Sequence, residues 1–86
     1  MTLTTSEIEI IRDEVARLAR VDVVRVSDDT DFVSELGMGS LELLNLLAFV
    51  EQRLKVILPD ETLVSLTSIR RIRARFESFV GDDSDK

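Results

Sequence analysis

The side chain best placed for chemistry is Ser40, a hydroxyl that follows Gly37-Met38-Gly39 and opens a leucine-rich stretch. A serine becomes a nucleophile when a neighbouring base takes its proton, and that base is usually an imidazole. The chain has no His, no Cys, no Tyr and no Trp. Ser-His and Cys-His pairs are therefore excluded, as are disulfides and imidazole or thiolate metal ligands. Carboxylates remain, yet an 86-residue chain so equipped is expected to be a non-enzyme. If it takes part in thioester chemistry, the thiol must arrive on another molecule. Two roles stay open for Ser40 at this point: a hydroxyl available for modification, or simply the N-cap of a helix, a position that serine favours. A second cluster, Ser27-Asp28-Asp29-Thr30-Asp31, has oxygen donors but lacks the glycine and distal glutamate of a calcium loop. A solvated turn, with short side chains bonding nearby N–H groups, is the expected structure there.

These residues need elements to hold them. Ser6 and Glu9 have capping-box spacing, and Ile8, Ile11, Val15 and Leu18 then recur on one helical face. This predicts a first helix ending near Ala19 or Arg20, with Glu7, Arg12, Asp13 and Arg20 on its solvated face. Val21, Val23, Val24 and Val26 are dense in β-branched residues, but no second strand follows to pair with them. A long loop is expected instead, with Val26, Phe32 and Leu36 plugged into a helical core. The next helix runs from Ser40 to about Leu54 and carries two apolar stripes. Leu43, Leu46, Leu47, Val50 and Leu54 should face the core. Leu41, Leu44 and Ala48 lie nearly opposite, flanked by Glu51, and either sit beneath another part of the fold or open to a partner. Pro59 suits the first turn of a short third helix, roughly Pro59 to Leu66, with Asp60 and Glu61 near its positive end. Thr67 or Ser68 caps a last helix lined by Ile69, Ile72, Phe76, Phe79 and Val80. Gly81 is expected to end it, leaving 82–86 as a flexible tail. The whole chain, 1–86, thus reads as one all-α domain of three longer helices and one short one, ordered over about 6–80.

Charge narrows the partners. The net charge is −6, which opposes nucleic-acid binding. Acidic residues crowd between Asp28 and Glu61, whereas Arg70, Arg71, Arg73 and Arg75 share one stretch. Those arginines admit a nucleic-acid or membrane patch, but overall acidity favours an exposed face pairing with the acidic loop. No apolar run reaches membrane-spanning length, and Met1 to Glu7 lacks the basic and apolar parts of a signal peptide. A cytoplasmic monomer is expected, with no membrane and no nucleic-acid partner.

The segment Asp31-Phe32-Val33-Ser34-Glu35-Leu36-Gly37-Met38-Gly39-Ser40-Leu41 resembles the modification site of acyl and peptidyl carrier proteins. There a Phe-containing loop leads to Leu-Gly, two variable residues, and Ser-Leu at the start of the second helix. The similarity continues through Leu44, Leu46, Val50, Glu51 and Leu54, reaches Leu58-Pro59-Asp60-Glu61, and ends with the Thr67-Ser68-Ile69 start of the last helix. It covers about residues 6–80. It implies a four-helix bundle of the acyl-carrier type, and a 4'-phosphopantetheine arm taken from coenzyme A and joined to Ser40 as a phosphodiester by a phosphopantetheinyl transferase. It further implies acyl- or aminoacyl-loading and condensing enzymes as partners, engaging Leu41, Glu42, Leu44, Ala48 and Glu51.

Two departures stand out. The family usually has Asp, or His in many peptide-synthetase carriers, where this chain has Gly39. Asn45 stands where Glu is common. The first predicts slower modification by transferases specialised for fatty-acid carriers, and leaves open a carrier-like interaction module that is never modified. The second makes the recognition helix less acidic, pointing to a freestanding carrier of polyketide, nonribosomal peptide or other specialised biosynthesis.

Overall fold

The computed structural model describes residues 3–84, with residues 60–62 and 77–84 described in backbone only. Three α-helices, α1 (Thr5–Ala19), α2 (Ser40–Leu54) and α3 (Ile69–Ser84), are joined by segments that each contain one 3-10 turn, at Val23–Arg25 and Asp60–Ser65. The expected all-α architecture is present, and no strand occurs among the described residues. The short third element is 3-10 rather than α, and Pro59 is its N-cap rather than its first residue. The tighter i to i+3 closure, seen where the Leu66 N–H donates to the Leu63 carbonyl at 3.1 Å, suits so short a piece.

The capping box of α1 forms two residues earlier than Ser6 and Glu9. The Glu7 N–H donates to Thr4 Oγ1 at 3.1 Å, and the Thr4 N–H donates to Glu7 Oε1 at 2.9 Å. Both pairs satisfy the local motif, so packing decides between them. Leu3, just before the Thr4 cap, is buried together with Ile8, the two positions of a hydrophobic staple. The helix stops at Arg20, whose left-handed backbone lets its N–H reach back to the Ala16 and Arg17 carbonyls. At the other end of the chain, Gly81 does not terminate α3, which remains helical through Ser84. A mid-helix glycine costs about 1 kcal/mol and does not forbid the helix. The side chains of Asp60, Glu61, Phe79 and Val80, and the last two residues of the expected tail, lie outside the described residues.

Ile8, Ile11 and Val15 of α1, Leu46, Leu47, Val50 and Leu54 of α2, and Ile69, Ile72 and Phe76 of α3 form the buried core. Val26 and Phe32 enter it from the long loop, as expected, while Leu36 packs against its edge. Met38 and Leu66 are also buried there. Both stand outside any helical repeat, so periodicity had no means of finding them.

Polar contacts fasten the long loop. Arg12 belongs to the expected solvated face of α1, but its side chain is only 16% exposed. Its guanidinium donates to the Val26 carbonyl at 2.6 Å and to Asp28 Oδ1 at 2.8 Å. The Arg70 N–H at the start of α3 donates to the Asp28 carbonyl at 2.9 Å. The Arg70 side chain pairs with Asp29, and Arg73 lies 4.0 Å from Asp28. The acidic cluster therefore meets the arginines across the bundle. Arg12 holds the Asp28 carboxyl below its ordinary range, chiefly through this hydrogen bond.

Candidate functional site

The loop that leads to Ser40 is held by two buried anchors, Phe32 and Met38. The Phe32 N–H donates to the Thr67 carbonyl at 2.8 Å, tying the loop to the segment before α3, and the Phe32 carbonyl accepts from the Met38 N–H at 2.9 Å. The second bond closes residues 32–38 into a turn with Phe32 and Met38 both in the core. Just before them Asp31 organises the bend. Its Oδ1 accepts the Val33 and Ser34 N–H groups at 2.9 and 2.8 Å, and the Asp31 N–H donates to Glu35 Oε2 at 3.1 Å. The Ser34 and Val33 N–H bonds hold the Asp31 carboxyl below its usual value. Gly37 has φ +72, which L side chains rarely adopt. The requirement is conformational, since a Cβ there would meet nothing within 4 Å.

Gly39 is the N-cap of α2 with extended backbone, and Ser40 is the first helical residue. The capping role open to Ser40 in sequence is thus not the one it has. Its side chain is solvent-exposed, and no side-chain hydrogen bond caps the first turn. The first bond of the helix runs from the Leu43 N–H to the Gly39 carbonyl, so the N–H groups of the opening turn precede the ladder. Glu42 reaches backward, with Oε1 accepting the Gly39 N–H at 3.0 Å. Helix N-termini with unpaired N–H groups and a partial positive charge suit a phosphate ester. An exposed hydroxyl at that point, with no side chain on the preceding residue, fits a phosphodiester-linked arm.

The second apolar stripe of α2 is open. Leu41 is 67% and Leu44 46% exposed, and Ala48 is exposed on the same face. The acids at its two ends are engaged by backbone. Glu42 holds the Gly39 N–H, and Glu51 Oε2 accepts the Leu58 N–H at 2.8 Å. These tethers, like the Arg12 contacts, carry no periodic signature in sequence.

The family model for the phosphopantetheine attachment site matches residues 9–76. A polyketide-8 synthase acyl carrier protein 2 of Streptomyces avermitilis is 33% identical over 81 residues, covering 94% of this chain and 93% of its own. An acyl carrier protein of Helicobacter pylori is 36% identical over 53 residues, covering 62% and 68%. The acyl carrier protein MbtL of Mycobacterium tuberculosis is 26% identical over 82 residues, covering 95% and 93%. With a match of this extent joined to an all-helical fold that exposes a serine at the start of α2, the chain belongs to the family of acyl carrier proteins that bear phosphopantetheine.

Proposed function

We propose that this chain is a freestanding carrier of acyl or aminoacyl thioesters, non-catalytic itself, whose arm is attached at Ser40. The observation that carries this reading is the state of Ser40: first residue of α2, exposed, and relieved of the capping role. In the attachment step Ser40 Oγ forms a bond to the pantetheine-bearing phosphorus of coenzyme A. The bond from that phosphorus to the adenosine bisphosphate breaks, and the serine proton leaves to a base of the transferase. Once attached, the arm supplies a terminal thiol on which a cargo is held as a thioester. The chain's own residues present the hydroxyl, hold the turn before it, and offer a face to the enzymes that load and extend the cargo. Leu41, Leu44 and Ala48 make up that face, with Glu42 and Glu51 at its ends. Similarity to a polyketide synthase carrier over nearly the whole of both chains supports a specialised biosynthetic pathway.

The test is intact mass after incubation with a permissive phosphopantetheinyl transferase and coenzyme A. One arm should appear on the wild type and none on Ser40→Ala. Modification that survives the substitution would move the attachment point away from Ser40, and a wild type that stays unmodified would leave the unmodified interaction module in its place.

A further inference from the structure

The residue before Ser40 has no side chain, yet the turn there is not left loose. Glu42 folds back along the first turn of α2, and its Oε1 takes the Gly39 N–H at 3.0 Å. A Cβ placed on Gly39 would stand 3.1 Å from that same oxygen, closer than most Cβ contacts. The carboxylate therefore fills space that a side chain at position 39 would contest. It is fastened to the amide immediately ahead of the serine. An exposed turn held by one such bond loses much of its backbone freedom next to the reacting hydroxyl.

We propose that Glu42 is a positioning residue for the modification of Ser40: it orders the Gly39–Ser40 turn through a hydrogen bond that the bare Gly39 leaves room for. This rests on Ser40 as the attachment point. The bond, rather than the charge, does the positioning, so a glutamine at 42, whose amide oxygen also accepts an N–H, should serve nearly as well. A side-chain cap supplied from position 39 should replace the function when Glu42 is gone, and add little when it is present.

The experiment measures kcat/KM for modification of the full chain by one broad-specificity transferase, with melting temperature and hydrogen exchange at the Gly39 amide read in parallel. Glu42→Ala should lower kcat/KM by about fivefold, the scale of one capping hydrogen bond, and remove protection of the Gly39 amide. Glu42→Gln should stay within about twofold of wild type and keep that protection. Gly39→Asp should restore the rate of the Glu42→Ala protein and change the wild type little, a non-additivity expected of groups sharing one turn. An alanine variant as fast as wild type would overturn the proposal, as would a glutamine variant as slow as alanine, which would show that the transferase reads the charge. An unprotected Gly39 amide in the wild type would overturn it regardless of Ser40. Equal gains from Gly39→Asp in both backgrounds would do the same. If neither wild type nor Ser40→Ala gains an arm, the Ser40 assignment itself has failed and the proposal falls with it. A melting temperature that drops in step with the rate would assign Glu42 to stability alone.

Discussion

The segment before Ser40 and the helix after it solve opposite problems. Residues 21–39 have little regular structure, but they are fixed at many points. Val26, Phe32 and Met38 are buried, Arg12 grips the Val26 carbonyl and Asp28, and the start of α3 holds the Asp28 carbonyl. Helix α2 is helical from Ser40 to Leu54, yet one of its apolar stripes stays uncovered at Leu41, Leu44 and Ala48. Regularity and fixation are thus separate properties. A loop becomes rigid when its side chains enter the core and its backbone finds partners. A helix satisfies its own backbone, so it can leave an apolar face open without an unpaired polar group beneath it. That division places a loop anchored in the core before Ser40 and leaves an uncovered apolar stripe beside it.

The comparison breaks hardest at Phe32. Truncation to Ala should cost about 3–5 kcal/mol, because the ring is fully buried and its backbone anchors the loop at both ends. Ile57, an equally apolar loop residue that is 94% exposed, gives the contrast: Ile57→Ser should stay within about 0.5 kcal/mol. Chemical denaturation of both variants checks this, and similar losses would erase the distinction between the two loops. Arg12→Ala should come next, at about 1–3 kcal/mol, since it strands the Val26 carbonyl without its donor. A loss as small as that of an exposed ion pair would mean that water replaces the guanidinium freely.

Acid should destabilise the fold through two carboxylates of the loop. Folding lowers the pKa values of Asp28 and Asp31, so both carboxylates contribute stability that is fully present above the ordinary Asp value of about 3.9. That contribution fades as pH falls below this value and disappears once pH passes the depressed folded values. Stability followed by denaturant titration between neutral and acid pH should therefore decline on the acid side. Asp28→Asn should flatten the decline, and an unaltered acid limb would show that Arg12 does not read the charge of Asp28. The smallest effect on folding is expected at Leu44. Leu44→Asp should change stability by no more than about 0.5 kcal/mol while weakening association with a cognate loading or condensing enzyme at any salt concentration. Undiminished association would move the partner surface away from this stripe.

Sequence by itself determined the approximate positions of the three α-helices and the two faces of α2, because both are written in local spacing. Ile11, Val15, Leu47, Val50, Ile72 and Phe76 recur with the helical period, and each is buried. Local spacing left Ser40 either a cap or a modifiable hydroxyl, and it was the resemblance of the stretch from Asp31 to Leu41 to carrier modification sites that singled it out. Tertiary structure decided what spacing does not encode. It chose Thr4 over Ser6 as the cap, since Leu3 had a core to enter. It turned Arg12 from an apparent surface charge into a tether, since its partners are 14 and 16 residues away in sequence. It left Leu41 and Leu44 uncovered. Periodicity reports which side of an element is apolar. Which polar groups meet, and which apolar stripe finds a neighbour, depends on how the elements pack, and those pairings form only when the chain closes.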